Sequence, residues 1–113
     1  MSDSFERACA LSDIPDEGAV SVEVAGVEVA VIRSCGHVFA VRDECSHAQI
    51  PLSEGDIGDC EVECWLHGSR FDLRTGEPTG LPAYEPVPVY PVRIDGDDVL
   101  ADVKNPINAE ALS

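Results

Sequence analysis

The sequence is short of positive charge, of aromatic side chains, of histidine and of long apolar runs. Seven Lys and Arg stand against 22 Asp and Glu, a formal charge of −15. That balance excludes nucleic acid as a partner, because phosphate would be repelled. It also disfavours an anionic membrane surface. No apolar stretch is long enough to span a bilayer. Residues 1–11 are acidic and lack an apolar h-region, so they do not read as a signal peptide and the expected location is the cytoplasm. Aromatics make up 5% of the 113 residues, which suits one domain with a modest core. A domain of this size often needs a staple, and a metal cluster is one. The surplus of carboxylates fits a soluble protein steered to a basic patch on a partner, or solubility alone.

The five cysteines, Cys9, Cys35, Cys45, Cys60 and Cys64, are odd in number and loosely spaced. Such a set argues against a secreted disulfide framework. Cys9, Cys35 and Cys60 read as packed or loop thiols. A Cys35–Cys60 bridge is conceivable, but nothing in the sequence supports it.

No stretch has helical periodicity over a useful length, and there is no internal repeat. Val20 to Arg33 alternates with period two around Ala25-Gly26, which predicts a hairpin with one buried face. Ser34 to His37 predicts a second turn and Val38 to Arg42 a third strand. Turns are expected at Ser53 to Asp56 and at Gly58-Asp59, with short strands from Cys60 to Cys64 and Ser69 to Leu73. Alternating prolines after Gly80 predict an extended loop, then an edge strand from Val87. Asp95 to Asp98 turns into a last strand over Val99 to Val103. Residues 1–18 read as polar with apolar anchors, and 104–113 as frayed. The expected fold is all-β: a base of strands over about 5–42 and 81–103, with a lobe over about 43–80 inserted between them.

The chemistry concentrates in that lobe. Cys45-Ser46-His47 is followed, after sixteen residues, by Cys64-Trp65-Leu66-His67-Gly68-Ser69. Thiolate and imidazole together call for zinc, iron or copper. Zinc fingers usually pair Cys with Cys and His with His, whereas each bite here holds one of each. Mixed bites suit a two-iron cluster in which one iron takes both thiolates and the other both imidazoles. Structural zinc on the same four residues is the competing reading, and an unliganded set is the bland one. His37 sits in a turn and is not expected to be a ligand.

These bites resemble those of Rieske proteins. The flanks Ser53 to Asp56, Arg70 to Gly76 and Leu81 to Ala83 are similar to the small Rieske ferredoxins of aromatic-ring-hydroxylating dioxygenases, and the likeness covers nearly the whole chain. The resemblance implies an antiparallel β-sandwich base with an inserted cluster-binding lobe and one Rieske 2Fe-2S cluster. It implies that Cys45 and Cys64 bind the inner iron and that His47 and His67 bind the outer one. The outward imidazoles would be the electron exit, and their proton can couple to reduction. Gly68 would let the backbone approach the cluster, and Ser69 would donate to a sulfide, unless it is an ordinary turn serine. Trp65 would cover the cluster edge. Respiratory-type Rieske proteins carry a bridging Cys in each bite and a sulfur-directed Tyr. The matching positions here are Ile50, Leu66 and Phe71.

Two functions follow from the resemblance. As an electron carrier, the chain would take one electron from a flavin-dependent NAD(P)H ferredoxin reductase and pass it to a non-haem iron oxygenase, acting as a monomer. As an oxygenase it would need a second iron held by two His and a carboxylate. Only three His are present and two are committed to the cluster, so the chain does no substrate chemistry alone. A third reading keeps the cluster but places the protein beside iron–sulfur assembly. Nine acidic residues against two basic ones between Asp43 and Gly80, among them Glu54, Asp56 and Glu63, mark the lobe as the docking surface for a basic partner.

Overall fold

In the computed structural model, residues 5–44, 51–64, 70–79 and 86–108 are described. Among them lie ten strands and two short 3-10 turns. The strands are β1 (Glu6–Ala10), β2 (Gly18–Val24), β3 (Val27–Ser34), β4 (His37–Arg42), β5 (Asp56–Gly58), β6 (Glu61–Glu63), β7 (Arg70–Asp72), β8 (Val89–Tyr90), β9 (Val92–Asp95) and β10 (Asp98–Ala101). The 3-10 turns cover Leu11–Asp13 and Leu52–Glu54.

The strands form three antiparallel sheets, ordered β1-β10-β9, β2-β3-β4-β8 and β5-β6-β7. The four-stranded sheet is the middle layer. Its β3 is buried on both faces, because Val29, Ala30, Val31 and Ile32 are all fully buried. Val29 and Val31, with Ala40 and Tyr90, pack against Cys9, Val99 and Ala101 of the first sheet. Ala30 and Ile32, with Val41 and Val89, pack against Leu52, Val62, Cys64, Phe71 and Leu73. The sequence expectation of one buried face is therefore corrected for β3. Side chains of successive residues point to opposite faces, so an uninterrupted apolar run is what a strand covered on both sides requires.

Three two-residue hairpin tips have both residues at positive φ, the geometry that matches strand twist. They are Ala25-Gly26 (φ 51 and 82), Cys35-Gly36 (φ 45 and 79) and Asp59-Cys60 (φ 54 and 62). The first two fall where the sequence places them. The third is one residue later than expected, because Gly58 pairs with Glu61 inside the β5–β6 ladder. No glycine marks that tip.

The N-terminal segment carries β1, inside the base expected from about residue 5; it pairs with β10, and its alternation is too short to delimit it in the sequence. One further expectation fails. Residues 104–108 are not frayed. The Ile107 amide donates to the Val89 carbonyl at 2.8 Å, and the Asn108 side chain accepts from the Val89 amide and donates to the carbonyls of Val87 and Thr75. The Ile107 amide and the Asn108 side chain together satisfy the open edge of β8 at Val89, which edge strands otherwise leave exposed. Residues 109–113 lie outside the described residues.

Candidate metal centre

Of the four proposed ligands, Cys64 is the one within the described residues. Cys45, His47 and His67 lie outside them, as do Trp65, Leu66, Gly68, Ser69 and Ile50. Cys64 directly follows β6 and shares the inward face of that strand with Val62, two residues earlier. It is fully buried beside Leu52, Phe71 and Leu73, and its thiol is in no disulfide. Phe71, opposite Val62 on β7, closes the same core and offers no hydroxyl. A free, buried sulfur at the start of the second bite fits the soft donor set that a 2Fe-2S cluster needs.

The chain on either side of each bite is fixed. Across the second bite, Glu63 pairs with Arg70 in the β6–β7 ladder, and their side chains meet at 2.8 Å. The residues that flank the second bite, Glu63 and Arg70, are therefore held as a strand pair. Across the first bite, Asp43 precedes residues 45–50 and Ser53 follows them. The Asp43 carboxylate accepts from the Ser53 amide (2.7 Å), the Ser53 hydroxyl (2.9 Å) and the Ser21 hydroxyl (2.6 Å). Gly55, five residues beyond the first bite, lies against Glu63, the residue before Cys64, since a Cβ there would overlap the Glu63 carbonyl oxygen.

The outer face of β5-β6-β7 is acidic. Asp56 lies opposite Glu63, and Glu61 opposite Asp72. Arg70 reaches Glu63 and Glu61, and Arg74 reaches Asp72. Glu54 and Asp56, two of the three expected docking residues, are exposed here, and Glu63 is half-buried. His37 opens β4 at the surface with its ring edge-on to Phe39, apart from the bites in sequence and paired with Ser34. Among the described residues, no group of three or more His, Cys, Asp or Glu is arranged to hold a metal ion.

The remaining cysteines divide. Cys9 is a buried thiol, as expected, and burial, with Asp13 adding, pushes it up from its ordinary pKa. Cys35 and Cys60 are not free thiols: they form a disulfide, with Cα atoms 5.6 Å apart, joining two hairpin tips. Ser34 reinforces the joint. Its hydroxyl accepts the Cys60 amide and donates to Glu17, whose other oxygen accepts the Cys35 amide. These bonds to Ser34 and Cys35 hold the Glu17 carboxyl below its ordinary pKa. Neither Glu17 nor Asp43 carries a periodicity or spacing signal that singles it out in the sequence.

Comparison with known proteins agrees with this architecture. Residues 4–91 match the Rieske [2Fe-2S] domain family. The chain is 41% identical over 100 residues to the biphenyl dioxygenase ferredoxin subunit of Pseudomonas sp. (strain KKS102), covering 88% of this chain and 92% of that one. The ferredoxin of carbazole 1,9a-dioxygenase from Nocardioides aromaticivorans IC177 superposes with a TM-score of 0.82 at 38% identity, over 88% of this chain and 97% of that one. A complex of reduced oxygenase and oxidised ferredoxin in carbazole 1,9a-dioxygenase aligns with a TM-score of 0.81 at 29% identity, over 89% of this chain and 94% of that one. Among the described residues, no helix is long and apolar enough to cross a membrane. Family match, sheet order and a free buried cysteine at the second bite agree: this chain belongs to the Rieske [2Fe-2S] domain family.

Proposed function

We propose that this chain is a Rieske ferredoxin that carries single electrons from a flavin-dependent NAD(P)H reductase to a non-haem iron oxygenase of the dioxygenase class. The supporting observation is that the chain is 41% identical to a dioxygenase ferredoxin subunit over 92% of that subunit's length, with Cys64 buried and in no disulfide where the second bite begins. Cys45 and Cys64 would hold one iron, and His47 and His67 the other. When bound, the cluster supplies reversible one-electron storage. The lobe over about 43–80 is the part we assign to cluster binding. Its buried core of Leu52, Val62, Phe71 and Leu73 keeps water from the sulfur side. Its acidic outer face, with Asp56 and Glu63, steers the chain to a basic surface on either partner. We take the working form to be a monomer in the cytoplasm, since electron-transfer encounters are small and transient. The ferredoxin relatives favour an oxygenase over an iron–sulfur assembly partner.

A reconstituted chain tests this. With NADH and a flavin reductase from a dioxygenase system, the protein should pass electrons to the oxygenase, and product should depend on its presence. The rate should fall with added salt, as screening over about 8 Å at physiological ionic strength requires. Cluster-loaded protein that is reduced but never supports an oxygenase would overturn the partner assignment. A rate indifferent to salt would remove the steering role from the acidic face.

A further inference from the structure

The two bites are closed at their bases by different means. The second leaves and returns through paired strands, with Glu63 opposite Arg70. The first leaves from the end of β4 and returns into the 3-10 turn Leu52–Glu54, which belongs to no sheet. No ladder spans residues 43 and 53. One side chain does so instead. Asp43 is 4% exposed, and both its oxygens are engaged by Ser53, at 2.7 Å to the amide and 2.9 Å to the hydroxyl. Ser21 of β2 adds a third donor at 2.6 Å, and the Asp43 amide donates to the Glu28 carbonyl at 3.0 Å. The carboxylate is thus tied to the exit of its own loop and to the middle sheet. The nine residues between Asp43 and Ser53 include Cys45 and His47.

A buried carboxylate is a poor choice for stability alone, because well-packed apolar groups of the same size generally do as well. A carboxylate with three donors is, however, a good choice for fixing geometry, since each bond has a direction. From this placement we propose that Asp43 is a positioning residue for the cluster: it latches the first bite shut so that Cys45 and His47 are held at a fixed separation from Cys64. The inference rests on the ligand assignment proposed above. By contrast, the Glu63–Arg70 side-chain pair joins an exposed Arg70 to a half-buried Glu63 and adds little to a loop already closed by its ladder.

The test compares cluster-loaded wild type with Asp43→Ala, Asp43→Asn and, as a control, Asp102→Ala. Asp102 is also a buried carboxylate, bonded to the Lys104 amide and the Asn105 side chain beyond β10, outside both bites. Folding is checked by circular dichroism, cluster loss by the decay of visible absorption, and site geometry by the electron paramagnetic resonance spectrum of the reduced protein. Asp43→Ala should lose its cluster about 10- to 100-fold faster than wild type, the usual effect of removing a group that orients metal ligands. Its resonance lines should broaden. Asp43→Asn keeps an acceptor for the Ser53 amide, and the two hydroxyls can rotate to accept from its amide nitrogen, so it should restore most of the lifetime and the sharp lines. Asp102→Ala should leave both unchanged. If Asp43→Ala does not fold, Ser53→Ala reads the same latch through the lost hydroxyl bond. A cluster lifetime and spectrum in Asp43→Ala, or in Ser53→Ala where Asp43→Ala does not fold, that match Asp102→Ala would overturn the inference. A wild-type chain that takes up no cluster would instead overturn the ligand assignment.

Discussion

Cys64 joins the chemistry to the core. Its sulfur is a core group beside Phe71 and Leu73 and, in the proposed ligand set, the first donor of the second bite. Cys64→Ala should therefore fail twice. It should bind no cluster, and it should melt earlier than loaded wild type by more than loss of one small side chain explains, because metal ligation contributes to folding free energy. Absorption at visible wavelengths and a thermal melt check both parts. A Cys64→Ala protein that keeps its colour would show that the second bite is not a ligand pair. The ligand set is proposed from the sequence alone, because few chemistries call for one Cys and one His in each of two short bites. Asp43 and Gly55 were not legible. What matters in them is which backbone they meet, Ser53 and Glu63, and that depends on how three sheets stack.

The elements show where local pattern suffices. The β2–β3 hairpin and the start of β4 were readable, because alternation and the glycines Gly26 and Gly36 act within a few residues. The Asp59-Cys60 tip was not, since Cys60 takes a left-handed φ without glycine and is held there by the Ser34 hydroxyl and by Cys35. Those groups lie on another hairpin, 25 residues away in sequence. That cross-link closes a loop containing the first bite, and loop-closure entropy gives it a worth of about 3 kcal/mol. Cys35→Ser and Cys60→Ser should each lower stability by up to that amount, and thiol titration of the unfolded, unreduced apoprotein should find three of the five sulfurs free. Five free thiols would contradict the bridge. Glu17 adds a pH dependence. Its folded pKa lies below the ordinary value of 4.5, so its contribution is complete above that pH and is lost as pH falls through the lower folded value. Denaturant melts should accordingly show a shallower acid decline in Glu17→Gln than in wild type.

The whole molecule sets the energy of the transferred electron. A net charge of −15, with carboxylates across the outer face of β5-β6-β7, disfavours adding an electron nearby. Phe71 is buried at the position where the resemblance implies that respiratory-type Rieske proteins carry a Tyr hydroxyl, and it offers no donor to a sulfur. Ser69, which the resemblance places as a donor to a sulfide, would act in the other direction. Rieske centres span roughly −150 to +300 mV, and this one should lie low, on the order of −150 to 0 mV at neutral pH. Protein-film voltammetry reads the value directly. A midpoint well above zero would mean that other donors outweigh the missing hydroxyl, and delivery of NADH-derived electrons to an oxygenase would lose its energetic basis. All of this depends on one cluster held by two thiolates and two imidazoles. Mössbauer spectroscopy of protein loaded with iron-57 tests that claim most directly. The account predicts about two irons per chain in two inequivalent sites of equal weight, one with sulfur ligands only and one with nitrogen ligands. Two equivalent, all-sulfur irons, or a colourless chain carrying zinc in place of iron, would contradict it.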